Sequence, residues 1–348
     1  MTTNVQPTRL RAPRAGLPRI GVLMADLAAT SAQHKKLQAL AAGNAGAAAG
    51  GDQGNPVSST TATRRWFERI EAAGLDAAWS PQPPQGVDVL TAIAATAADT
   101  RIELGTSVIP IFARHPLILA QQVLTTQAIV GNRLTLGLGL SHQPTIERVY
   151  GIPFDRPLLR MRECLQVLKP LLAGRVVSFE GKTVTARGGV GVIGAAEPSL
   201  LLAALGPQML ELAGTETDGT IVVHVGMRTL EGFTVPTISR AAAAAGRPRP
   251  RVVVQMPVWV TNNVAAAREE LATALSHYLT LPSYIAMFER EGVQSPAELA
   301  IVGDETAVEA GIRRVAACGG TDLCAIIFGD RSDQERAFNL LETLASPN

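Results

Sequence analysis

With 348 residues, 47% of them hydrophobic, the chain can bury a large core, and one big domain is the economical reading. Lys and Arg total 31 against 30 for Asp and Glu, a net charge of +1, and only 4% of residues are aromatic, so neither nucleic acid nor an anionic membrane is an expected partner. The three cysteines, Cys164, Cys318 and Cys324, lack metal-like spacing and read as reduced packing residues, and no run nears the ~18 apolar residues of a membrane span, so a soluble, cytoplasmic protein is expected.

Residues 1–18 carry Arg9, Arg11 and Arg14 among Pro, Gly and Thr, lack the apolar stretch of a signal peptide, and read as a disordered tail. Residues 19–348 read as one domain. Its first strand is Arg19 to Met24, with Asp26 just beyond. From 28 to 61 the composition turns to Ala, Gly, Ser, Gln and Thr. Within it only Ser31 to Gly43, which carries His34, Lys35 and Lys36, has a helical pattern, and an insertion this long is either a lid or disorder.

Regular alternation resumes at Arg64 with a helix through Ala73, stopped by Gly74, and a strand from Asp76 to Trp79 that ends in Ser80-Pro81-Gln82. A helix over Asp88 to Ala98 leads to a strand over Arg101 to Val108. Pro116 opens the next helix and Gly131 closes it, the placement these residues favour at helix ends. The fourth strand is Leu134 to Leu140. Leu158, Met161, Leu165, Leu168 and Leu172 then recur at helical spacing, and Val176 to Phe179 with Thr183 to Ala186 reads as a hairpin outside the main sheet. Further strands are Leu200 to Ala204, Thr220 to Val225 and Val252 to Val260. Helices over 265–277, 282–291 and 305–318 precede the last strand, Asp322 to Phe328, and a closing helix. Eight strands, each followed by helix, define a (β/α)8 TIM barrel with a long insertion after strand 1 and extra helices before strand 8. A doubly wound sheet is the alternative, but no GxGxxG opens the chain.

In such a barrel the chemistry gathers at strand C-termini, where Thr106, Ser107, Ser141, His142 and His224 fall. His142 and His224 are each either site residues or satisfied structural histidines, whereas His115 belongs to a helix start and His277 to packing. Arg114, after strand three, holds an acidic ligand group or is a surface arginine. The Leu205-Gly206-Pro207 turn either cradles an anion on its backbone N–H groups or simply starts a helix with proline. No metal-ligand cluster, GxSxG elbow or carboxylate pair at adjacent strand ends is visible. A site so poor in acid and base groups suits chemistry carried by a bound cofactor.

Four stretches, GTSVIPIFARHPLILAQQ from Gly105, GNRLTLGLGLSH from Gly131, RMRECLQVLKPLLAGRVVSFEGKTVTA and LLLAALGPQMLELAGTETDGT from Leu200, occur in order across the barrel. On them, Arg19 to Phe328 resembles the bacterial luciferase-like monooxygenase superfamily, and within it the oxidoreductases dependent on coenzyme F420, a deazaflavin. The resemblance implies a non-prolyl cis peptide at Ser107-Val108, in a bulge after Thr106 that backs the central ring. It implies cofactor phosphate at Ala204, Leu205 and Gly206, Ser141 and His142 beside the reactive face, and a homodimer. One departure is plain: relatives that oxidise alcohols or sugar phosphates often end strand two with Asp-His, whereas this chain has Gln82, which hydrogen-bonds but cannot titrate. The expectation is an F420-dependent oxidoreductase passing hydride from the reduced deazaflavin to an unsaturated or carbonyl-like small molecule. His142 delivers or relays the proton, and Gln82 and His224 orient the substrate. The alternatives are an FMN-dependent monooxygenase fed by a separate reductase, and a cofactor-free barrel with a binding role.

Overall fold

The computed structural model describes residues 12–24, 56–84 and 86–346. Asp26, the helical pattern over 31–43 with its basic residues, most of the 28–61 insertion and the first 11 residues of the expected tail lie outside the described residues. Two boundaries differ from expectation. The tail stops short of residue 18: Arg14 pairs with Asp76 at 2.9 Å, and Leu17 and Pro18 are buried. Helix α1 spans Pro56–Ala72 and so begins before Arg64, inside the stretch read as low-complexity, because Ser, Thr and Ala tolerate helix without signalling it.

One domain was the economical reading, and the described chain divides into two compact units, one built from residues 24, 56–69 and 80–198 and the other from 12–23, 70–79 and 199–346. The second unit holds a run of parallel strands. Strand β8 (Ser199–Ala203) pairs with β9 (Gly219–Val223), β9 with β10 (Arg251–Val260), β10 with β12 (Asp322–Ile327), β12 with β1 (Arg19–Leu23), and β1 with β2 (Ala77–Ser80). These strands are nearly continuous apolar runs, as parallel strands buried on both faces must be, and Val253, Val254, Met256 and Val258 of β10 are fully buried. A short β11 (Ile301–Gly303), invisible in the sequence, extends the pairing at the end of β10. Helices α5 (Pro207–Glu216), α6 (Val235–Ala244), α7 (Val264–Ala274), α8 (Pro282–Glu291), α9 (Glu305–Ala317) and α10 (Arg331–Ala345) complete this unit.

At the start of these strands lies a buried ionic knot. Asp322, 2% exposed, accepts from Arg19 at 2.7 Å, from Arg251 at 2.6 Å and from the Thr321 hydroxyl at 2.6 Å. Charges this deep persist only when paired and hydrogen-bonded.

The first unit contains α2 (Val89–Thr96), β3 (Glu103–Thr106), β4 (Ile109–Pro110), α3 (Pro116–Ile129), β5 (Leu134–Gly139) and α4 (Pro157–Leu172). Helix α3 starts as its sequence dictates: Pro116 occupies its first turn, His115 Nδ1 accepts from the Leu117 N–H, and Gly131 follows the end at φ 66°. Strands β6 (Val177–Glu180) and β7 (Thr185–Gly188) form the expected separate hairpin. Cys164, Cys318 and Cys324 are free and buried, and burial pushes the Cys164 thiol up to about 12, which leaves it unreactive. Among the described residues no helix is long and apolar enough to cross a membrane.

Candidate functional site

The end of β3 is a bulge. Leu104 and Gly105 pair with Leu134 and Thr135, an offset of 30 residues, while Ile109 and Pro110 pair with Leu138 and Gly139, an offset of 29. One extra residue is therefore accommodated between them, which turns the chain out of the ladder. Within it the Ser107-Val108 peptide is cis, and the Ser107 N–H donates to the Ser80 carbonyl at 2.8 Å. Both residues keep part of their surface exposed. Thr106 does not. It is fully buried, its hydroxyl donating to the Gly137 carbonyl at 3.0 Å and accepting from the Gly137 N–H at 2.8 Å. The expected cofactor contact at Thr106 is thus replaced by a latch between β3 and β5, because a side chain facing the neighbouring backbone satisfies itself there.

At the end of β5, Ser141 has a left-handed backbone, φ 62°, and Ser141 and His142 are both partly exposed. The His142 carbonyl accepts from the Ile146 N–H at 3.0 Å, opening the helical turn Thr145–Val149.

Gln82, expected to orient substrate, is bound into its own loop. Its Oε1 accepts from the Val89 N–H at 2.9 Å and from Arg114 at 3.0 Å, and its Nε2 donates to the carbonyls of Pro83 and Val87. The amide therefore caps α2 and steadies Arg114. Arg114 also pairs with Asp88 and donates to Gln122 at 3.1 Å, so it answers an internal carboxylate. Asp88 is partly desolvated, which opposes ionisation, but the Thr91 N–H, the Thr91 hydroxyl and Arg114 outweigh this and hold its carboxyl below the usual range. Burial raises the Tyr150 phenol, with Arg114 opposing it.

In the second unit the Leu205-Gly206 turn leads into α5. Gly206 is the N-cap with an ordinary extended backbone, φ −83° and ψ 159°, no side chain among the described residues caps the helix, and Pro207 follows. A Cβ placed on Gly206 would meet no atom within 4 Å among the described residues. Neither backbone conformation nor packing therefore requires glycine here, and what its absent side chain leaves is open space over unsatisfied N–H groups at a helix N-terminus. Ala204 is 2% exposed, so it contributes backbone at most.

His224, just past β9, is 1% exposed and left-handed, φ 52°. Its ring lies edge-on to Tyr278 at 4.3 Å, with Tyr284 at 6.3 Å, and its Nδ1 has no hydrogen-bond partner among the described residues. Burial, reinforced by His277, brings its pKa down to about 3, so the imidazole is neutral. Sequence reasoning missed Tyr278 and Tyr284. The available signal was that two of the chain's three tyrosines fall within seven residues.

Strands each followed by helix, with polar and glycine-rich turns at their C-terminal ends, define a (β/α)8-barrel enzyme of the TIM class. The chain belongs to the luciferase-like monooxygenase family, whose model matches residues 40–322. It is 28% identical to a 5,10-methylenetetrahydromethanopterin reductase of Methanolobus tindarius over 235 residues, 67% of this chain and 72% of that one. The structure is similar, at a TM-score of 0.71 and 22% identity, to the coenzyme F420-dependent tetrahydromethanopterin reductase of Methanopyrus kandleri, covering 81% of this chain and 94% of that one. It is similar at a TM-score of 0.70 and 16% identity to the oxygenating constituent of 3,6-diketocamphane monooxygenase of Pseudomonas putida, solved with FMN, covering 94% and 97%.

Proposed function

We propose that this protein is an F420-dependent oxidoreductase acting on an unsaturated or carbonyl-like small organic molecule, and that it works as a cytoplasmic homodimer. The observation that carries the reading is Gly206: a helix N-terminus that is open and uncapped among the described residues, with room where a side chain would stand, suits a phosphate-bearing cofactor. Family membership supports the same reading. When bound, the reduced deazaflavin supplies a hydride donor.

The chain's own groups do the rest. The N–H groups of Leu205 and Gly206, with Ala204 behind them, hold the phosphate. The Ser107-Val108 backbone and Ser141 line the ring. His142 passes a proton from its imidazole to the substrate atom adjacent to the one reduced. His224, neutral and buried, orients substrate by hydrogen bonding and does not act as a charged acid. Gln82 and Thr106 act one step removed, as positioning residues for the α2 start and the β3 bulge.

The similarity to an FMN-containing monooxygenase constituent favours one second reading, an FMN-dependent monooxygenase served by a separate reductase. Titration with F420 and with FMN, followed by visible fluorescence, separates the two. Saturable quenching with F420 alone is expected. Saturation with FMN alone transfers the assignment, and binding of neither leaves a barrel with a cofactor-free role.

A further inference from the structure

The residue after β9 combines two features that are unfavourable for a histidine. His224 has a left-handed backbone, uncommon outside glycine although histidine adopts it more readily than most, and its Nδ1 is buried without a hydrogen-bond partner among the described residues. Such a nitrogen forfeits a bond it had in water, and the cost is recovered only when a partner arrives.

What covers the ring is a small aromatic stack. Tyr278 lies edge-on to it at 4.3 Å, Tyr284 packs on Tyr278 at 4.6 Å, and Phe288 stands 6.3 Å from Tyr284. Tyr284 and Phe288 belong to α8, whose far end is fixed to the turn after β9. There Glu291 accepts from the Arg228 N–H at 3.0 Å and the Thr229 N–H at 2.7 Å, and Arg290 lies 3.9 Å over the Phe233 ring. Tyr278 is held differently. It sits on the short turn Ser276–Thr280, whose other four residues are all exposed. The turn's inward contacts are those of Tyr278, which also packs against the buried cluster of Trp259, Leu271 and Leu275, and a segment whose other residues are all exposed opens before the helices around it.

We infer that Tyr278 is a displaceable plug over a substrate subsite, anchored by His224 and walled by Tyr284 and Phe288, which takes a planar ring bearing a carbonyl or hydroxyl group. The present occupant indicates the ligand: the space beside His224 accepts a phenol ring, so a flat ring with one polar substituent can replace it. A neutral imidazole offers that substituent either a donor or an acceptor. The inference rests on the proposed function in taking the end of β9 as the ligand-facing end.

The test uses the full chain without cofactor, 2-naphthaldehyde as probe and naphthalene as the ring-only control. Side-chain NMR of ¹³C-labelled histidine, with five histidines to resolve, reports on His224, assigned by His224→Phe. In the unaltered protein the aldehyde is expected to shift the His224 ring resonance and to speed amide exchange in 276–280. Tyr278→Ala is expected to bind the aldehyde about 10-fold more tightly, equivalent to about 1.4 kcal/mol, and to prefer it over naphthalene by a similar factor. Adding His224→Phe erases that preference. Equal binding of aldehyde and naphthalene by Tyr278→Ala would reduce the site to a hole left by truncation and overturn the inference, as would no His224 shift in the unaltered protein. Tyr278→Leu repeats the comparison if the alanine variant melts. Failure here with F420 binding intact removes the subsite alone, whereas failure of both removes the reading beneath it.

Discussion

Glu163 and Thr183, 20 residues apart, are joined twice: the Thr183 hydroxyl and its backbone N–H each donate to the same Glu163 oxygen at 2.6 Å. The N–H groups of Lys182 and Val184 add bonds of 2.8 and 3.0 Å. One carboxylate on α4 therefore fastens the β6–β7 turn. Desolvation opposes its ionisation, but the four bonds outweigh it and bring the pKa from 4.5 down to about 2.

Because the folded value lies below the unfolded one, this anchor contributes fully above pH 4.5 and is lost as pH falls towards about 2. Glu163→Gln is expected to lower stability at neutral pH and to flatten the stability–pH slope across that window by up to about one proton. Urea unfolding at a series of pH values measures both. An unchanged slope contradicts the assignment.

Asp322 tests the ionic knot. Asp322→Asn keeps shape but leaves the buried Arg19 and the part-buried Arg251 without their shared counter-charge, so a loss of about 3 kcal/mol in unfolding free energy is expected. Denaturant titration reads it, and a loss well under 1 kcal/mol would show that the arginines find another partner.

Gly206→Ala separates folding from cofactor binding. The ordinary φ and the open space mean that Cβ meets no atom of the described residues, so the thermal midpoint should not fall. The same methyl group intrudes on the proposed phosphate, and F420 affinity is expected to drop by about 10-fold or more, a cost of about 1.4 kcal/mol. Fluorescence titration beside a melt checks both, and unchanged affinity moves the phosphate elsewhere.

His142→Ala is expected to lower turnover by about 10²-fold while leaving cofactor affinity intact, the effect of losing a positioned proton donor. If turnover were unchanged across pH, proton delivery would belong to another group.

Gln82→Ala distinguishes loop architecture from substrate contact. It strips the acceptor from the Val89 N–H and from Arg114, so stability is expected to fall by about 1–2 kcal/mol. A raised KM with no change in unfolding free energy would restore Gln82 to the substrate.

The alternation of strand and helix was legible because it is written locally. Apolar runs mark the parallel strands, and Pro116 with Gly131 brackets α3 through preferences each residue carries alone. The Ser107-Val108 cis peptide was reached through motif resemblance, since nothing in its composition announces it, whereas the Leu205-Gly206-Pro207 turn was visible as a helix start and only its phosphate came from the resemblance. What failed were assignments to polar side chains. Thr106, Gln82 and Arg114 all looked free to meet a ligand, yet Thr106 meets Gly137 from 31 positions away, and Gln82 meets Arg114 from 32.

Sequence by itself determined the order of elements, the helix start at Pro207 and the family. Tertiary structure alone decided which polar groups remain available for chemistry. A hydrogen bond is settled by whichever partner folding brings within 3 Å, and that partner is usually far along the chain. His142 and Ser141 emerge partly exposed, Gln82 and Thr106 emerge bonded internally, and His224 emerges buried beside Tyr278 with one nitrogen unanswered among the described residues.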